Sequence, residues 1–136
     1  MAYLELNNIC KTYGQGAVKT EVLSNINLKI EEGEFVAIVG FTGSGKTTLV
    51  NLINGLLAPT IGTILFKGEP VVDTSYERGV IFQNYSFLPW LTVEQNVYMA
   101  FKEGFPKSSK SDLKTIVSDY VDMVSLTLAI HTRHTK

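Results

Sequence analysis

The run Gly40-Phe41-Thr42-Gly43-Ser44-Gly45-Lys46-Thr47 meets the spacing G-x-x-x-x-G-K-[ST] at every fixed position. Glycines at these places let a chain curl until its backbone N–H groups point inward, where a Cβ would stand in the way. Before the run comes Phe35-Val36-Ala37-Ile38-Val39, a continuous apolar stretch that reads as a parallel strand covered on both faces. After it, Leu49, Leu52, Ile53 and Leu56 recur at helical spacing, with Gly55 near the end and Pro59 beyond. Strand, loop and helix in this order bring the positive end of a helix to the loop. A lysine at position 46 then reaches the β- and γ-phosphates of a nucleotide, and a Thr47 hydroxyl ligates Mg²⁺. A bare Gly-rich turn between two elements is the alternative, and it explains neither the lysine nor the flanking elements.

Length and composition bound the rest. A chain of 136 residues has room for one modest domain, and 45% hydrophobic residues is ordinary for a globular protein. The net charge of −1 gives no broad footprint for nucleic acid or anionic lipid, although phosphate binding needs only local donors. The lone Cys10 excludes an internal disulfide framework and reads as a buried, inert thiol in a reducing compartment. No apolar run is long enough to span a bilayer, and the segment Met1 to Leu6 lacks the features of a secretory signal. Membrane attachment would therefore come through a partner.

Around the loop, Tyr3 to Ile9 reads as a strand with one buried face, Lys11 to Thr20 as a loop and Val22 to Ile30 as a second strand. Gly62 to Gly68 is a short strand bounded by glycines, and Val80-Ile81-Phe82 another apolar strand ending at Gln83. Thr92 is placed to cap a helix through Val93, Val97 and Phe101, with Glu94 in its first turn. A polar loop from Gly104 to Ser111 leads to a helix over Asp112 to Val124. Small-molecule kinases put the phosphate loop after their first strand, whereas here a good thirty residues of strand-like sequence precede it. That arrangement argues for an antiparallel β layer ahead of a parallel core.

With these features in order, the chain resembles the nucleotide-binding subunit of an ATP-binding-cassette (ABC) transporter. The resemblance implies an α/β fold: a P-loop NTPase core with an N-terminal antiparallel β lobe (1–34), a core from the phosphate loop to the Q-loop (35–83) and the start of a helical subdomain (84–136), the helical lobe being incomplete. It implies ATP and Mg²⁺ as cofactors. The nucleotide-binding set is Tyr13, Gly40, Phe41, Thr42, Gly43, Ser44, Gly45, Lys46, Thr47, Thr48 and Gln83, with Thr47 and Gln83 toward the metal. Tyr13 stands where the family stacks an aromatic on adenine, a contact of about 1–3 kcal/mol by analogy with base stacking; a half-exposed loop tyrosine is the alternative. Gln83 stands where a Q-loop glutamine senses the γ-phosphate; an amide satisfying a turn is the alternative.

The segment Phe82 to Val93 is similar to the importer branch for nitrate, cyanate, sulfonate, taurine and bicarbonate. In that branch it faces a coupling helix of the permease, and Tyr85, Phe87 and Trp90 suit such a groove as rigid anchors; packing within the helical subdomain is the alternative. The implied partners are a transmembrane permease and a second nucleotide-binding subunit, on the cytoplasmic face of the membrane.

The likeness covers the first half of a family member. Among the 136 residues there is no Leu-Ser-Gly-Gly-type signature and no apolar strand closing on Asp-Glu, the residues that the family uses to complete the Mg²⁺ site and to polarise the attacking water. His131 and His134 read as solvated tail residues. The expectation is nucleotide capture within an importer for a small anion, with an inactive truncated module or the product of a broken reading frame as the alternatives.

Overall fold

The computed structural model describes residues 2–14, 16, 18–83 and 87–133. They form two units, Met1–Val80 and Ile81–Lys136. In the first unit, β1 (Leu4–Tyr13), β2 (Thr20–Ile30), β3 (Ile61–Phe66) and β4 (Glu69–Pro70) make an antiparallel sheet in the order β2-β1-β3-β4. Helix α1 (Lys46–Ile53) lays Leu49 and Leu52 on this sheet, against Leu4, Leu6, Ile9, Leu23, Ile64 and Phe66. Burying side chains of this size stabilises by roughly 1.5–3 kcal/mol each.

Strand β1 does not alternate strictly. Leu4 and Leu6 face the core, and simple alternation would next turn Asn8 inward. Instead Asn8 takes φ 51°, the register slips against both neighbours, and Ile9 becomes fully buried. The Asn27 carboxamide holds this bulge, accepting from the Asn8 N–H at 2.9 Å. Across it, Gly62 has φ 95°, and a Cβ there would stand 2.5 Å from the carbonyl oxygens of Asn7 and Asn8. Only glycine lets β3 approach so closely.

The β1–β2 ladder runs on to the pair Tyr13–Thr20, so β1 takes in the first part of the stretch expected as a loop. Lys67 and Gly68, both at positive φ, form a two-residue turn of the type that suits right-twisted strands, and β4 follows. Cys10 is half-buried, not buried, and its sulfur accepts from the Asn25 N–H at 3.3 Å. Helix α1 ends in a Schellman turn: the Leu56 N–H donates to the Asn51 carbonyl and the Gly55 N–H to that of Leu52.

Two expected strands are corrected. Neither Phe35–Val39 nor Val80–Phe82 joins a ladder: Phe35 is 96% exposed and Ile81 fully exposed. An apolar parallel strand needs neighbours on both edges and cover on both faces, and the described residues supply neither.

The second unit holds α2 (Val93–Gly104), α3 (Lys110–Met123) and a 3-10 turn at Thr127–Ala129. Thr92 caps α2 as expected, within a full capping box: its hydroxyl accepts from the Gln95 N–H and its own N–H donates to the Gln95 side chain. The Asn96 carboxamide ties the preceding loop to the helix, accepting from the Leu88 N–H at 2.8 Å and donating to its carbonyl at 3.2 Å. Helix α3 buries Leu113, Val117 and Val121. His131 is exposed, in keeping with a solvated residue; the backbone around it accepts from the N–H groups of Val93 and Glu94, and its Nδ1 lies 3.4 Å from the Glu94 carboxylate. His134 lies outside the described residues.

Replacing Gly62 with alanine is expected to destabilise the first unit by about 2–4 kcal/mol, read as a lower denaturant midpoint. Gly79→Ala, in open space, should stay within about 0.5 kcal/mol of the parent.

Candidate functional site

The loop between Val39 and α1 turns on its glycines. Gly43 has φ 83° and Gly45 φ 90°, a region in which L side chains are strained. The Ser44 N–H closes a turn onto the Phe41 carbonyl at 3.2 Å. Gly45 then serves as the N-cap of α1 without any side chain bonding the first amides, so the N–H groups of the first turn are open to an acceptor.

The loop has a hard backing. A Cβ on Gly45 would meet Leu23 Cδ2 at 2.9 Å and Val22 Cγ1 at 3.1 Å, both on β2. A Cβ on Gly40 would meet the Ser44 hydroxyl at 2.7 Å. Within this curl the Lys46 ammonium donates to the carbonyls of Gly40 and Phe41, each at 2.7 Å, and to Ser44 Oγ at 3.4 Å. A positive charge is thereby fixed at the mouth of a ring of amides, next to the positive end of a helix. The arrangement fits an anion with several oxygens.

Of the other expected residues, Thr47 is exposed and Thr48 half-buried in the first turn of α1, while Phe41 and Thr42 lie exposed on the loop. Tyr13 ends β1 opposite Thr20 and is 42% exposed, so the residue expected on a loop belongs to a strand end. It shares β2 with the phosphate loop: Tyr13 pairs with Thr20, and Gly45 rests on Val22, about 7 Å further along that strand. The Lys11 ammonium lies 5.3 Å from the Tyr13 ring centroid while donating to the Ala58 carbonyl at 2.7 Å. Gln83 belongs to the second unit, exposed, past a segment that forms no strand. The motif did not reveal Val22 and Leu23 as supports, which the close contact at Gly45 does, nor Lys11, which its approach to the Tyr13 ring does.

Thr47, in the first unit, and Gln83, in the second, each carry a hard oxygen donor of the kind Mg²⁺ accepts. No cluster of three or more His, Cys, Asp or Glu is found among the described residues.

The family model for the ABC transporter domain matches residues 23–135. The chain belongs to the ABC transporter family. It is 37% identical over 126 residues to the bicarbonate transport ATP-binding protein CmpD of Synechocystis, covering 93% of this chain and 45% of that protein. The nitrate import ATP-binding protein NrtD of Synechococcus elongatus is 34% identical over 131 residues, 96% of this chain and 48% of its own. The chain thus spans about half the length of these curated relatives. Among solved structures, the ATP-binding cassette MJ0796, as a dimer bound to ADP and Pi, superposes with a TM-score of 0.81 at 29% identity, covering 96% of this chain and 61% of that one. The fold is accordingly that of a P-loop ABC cassette with an antiparallel β lobe and an incomplete helical lobe.

Gly45→Ala should push the start of α1 off β2. The expected outcome is a loss of stability of about 1–3 kcal/mol and at least tenfold weaker nucleotide binding, measured by thermal melting and by titration.

Proposed function

We propose that this chain captures Mg²⁺-ATP as part of the nucleotide-binding subunit of an importer for a small anion, of the kind that carries bicarbonate, nitrate, cyanate or a sulfonate. The observation that carries the proposal is the Lys46 ammonium held at 2.7 Å by two carbonyls of a loop in which Gly45 leaves no space for a side chain. The names of the relatives, bicarbonate transport and nitrate import ATP-binding proteins, support the substrate class. In this reading Gly40 to Thr48 cradle the phosphates, Lys46 neutralises the terminal ones, Tyr13 stacks on the base, and Thr47 with Gln83 meets the metal. The three parts 1–34, 35–83 and 84–136 act as base-facing lobe, phosphate core and start of the permease-facing lobe.

The partners proposed are a transmembrane permease and a second cassette, which places the chain on the cytoplasmic face of the membrane. The dimeric state of the MJ0796 cassette supports the second partner. No helix among the described residues is long and apolar enough to cross a membrane, which fits attachment through the permease. Trp90 is 62% and Phe87 50% exposed, which favours docking over core packing for these aromatics. Tyr85, proposed with them, lies outside the described residues.

Calorimetric titration of ATP with and without Mg²⁺ tests the capture. Lys46→Ala should weaken binding by about 10–100-fold, the worth of a lost charge-assisted contact, while Lys29→Ala, on an exposed strand position, should change nothing. Equal affinity in both variants would refute the reading.

Hydrolysis is a separate matter. Phosphoryl transfer needs an oriented water and a completed metal site, and these 136 residues contain neither an Asp-Glu strand nor a signature motif. Turnover by these residues alone should be at background in a coupled phosphate assay. Mg²⁺-dependent turnover abolished by Lys46→Ala would overturn that expectation.

A further inference from the structure

Lys11 is fixed between two parts of the first unit. Its ammonium donates to the Ala58 carbonyl at 2.7 Å, past the C-terminal end of α1, and stands 5.3 Å from the centroid of the Tyr13 ring. Across the ladder Lys11 pairs with Leu23, the residue whose Cδ2 would lie 2.9 Å from a Cβ on Gly45. The bond to Ala58 is not what ties that segment to the sheet. The Thr60 N–H already donates to the Cys10 carbonyl at 2.9 Å, and the Thr12 N–H to Thr60 Oγ1 at 3.0 Å. Nor does a carboxylate hold the ammonium: among the described residues Lys11 has no ion pair. It is a half-buried cation with a neutral carbonyl on one side and an aromatic ring on the other.

We propose that Lys11 is a positioning residue of the nucleotide site, which holds the Tyr13 ring for a purine base; this rests on the stacking of a base on Tyr13 proposed above. A cation over one face of an aromatic ring is attracted by its π electrons, and more strongly where water is partly excluded. That face is then taken, and the ring offers its other face to the base. The anchor at Ala58 matters as much as the charge. Ala58 follows the Schellman turn that ends α1, and Lys46 stands at the start of the same helix. Base platform and phosphate cradle are therefore both referred to α1, so their separation is set before a nucleotide arrives. A tyrosine side chain without this hold would have to be ordered by the ligand, at a cost in affinity. The competing role for Lys11 is a direct pull on the phosphates, and it predicts a different response to a ligand that has no base.

The test is calorimetric titration with Mg²⁺-ATP and, in parallel, with Mg²⁺-tripolyphosphate. Tyr13→Ala should weaken ATP about tenfold and leave tripolyphosphate within about twofold, which measures the base contact itself. Lys11→Met keeps the apolar stem and removes the charge. It should weaken ATP about fivefold and again spare tripolyphosphate. Lys11→Arg, whose guanidinium also lies over aromatic faces, should restore ATP binding to within about twofold of the parent. In the Tyr13→Ala chain, adding Lys11→Met should cost less than about twofold more, because the ring through which it acts is gone. Lys11→Met weakening both ligands alike would overturn the proposal, as the mark of a charge acting on phosphates or of a damaged fold. So would ATP binding that depends on Tyr13 and ignores Lys11. Tyr13→Ala with unchanged ATP binding would refute the stacking itself, and the proposal with it, while phosphate capture stood.

Discussion

Everything at the phosphate loop rests on one contact that leaves no space for a single carbon. Gly45 lies against Leu23 and Val22, and Leu23 is also part of the buried core beneath α1. The same side chain that anchors the sheet thus sets where the helix begins. The curl of the loop, the direction of the first helical amides and the reach of Lys46 all follow from that starting point. A loop so backed is pre-organised, and little ordering remains to be done when an anion arrives.

The sheet in turn depends on a local irregularity. The bulge at Asn8 swings Ile9 into the core, and Gly62 lets β3 come close enough to pair with β1 beyond it. Without the bulge, Asn8 would occupy a core position and Ile9 would face water, a penalty on both sides of the pleat. The second unit is organised by capping: Thr92, Gln95 and Asn96 define where α2 starts and how the loop before it is held. Family membership agrees with both units, since the matched residues 23–135 run through the sheet, α1 and the two later helices.

The loop, the helix behind it and both caps at Thr92 and Gly55 were legible in the chain, because each rests on chemistry within a few residues. The β layer was legible from its alternation, but not its ends, since the pairing of Tyr13 with Thr20 is decided by the partner strand. The turn at Lys67-Gly68 carried the signal of a two-residue hairpin with glycine second, which a reading of glycines as mere boundaries passes over. Phe35–Val39 and Val80–Phe82 have the composition of strands, and composition alone cannot supply the ladder neighbours a parallel strand requires. The approach of His131 to Glu94 was not legible, because the two are distant in sequence.

Lys46 gives the site a threshold. Its ammonium is already satisfied by the chain's own oxygens, two of them at 2.7 Å. An incoming group gains only the difference between its oxygens and those carbonyls, so a weak acceptor displaces nothing. A group that brings several anionic oxygens to the loop offers the ammonium more than those two neutral carbonyls do. The loop therefore sets its own competition: an acceptor must offer more than the two carbonyls that Lys46 already holds.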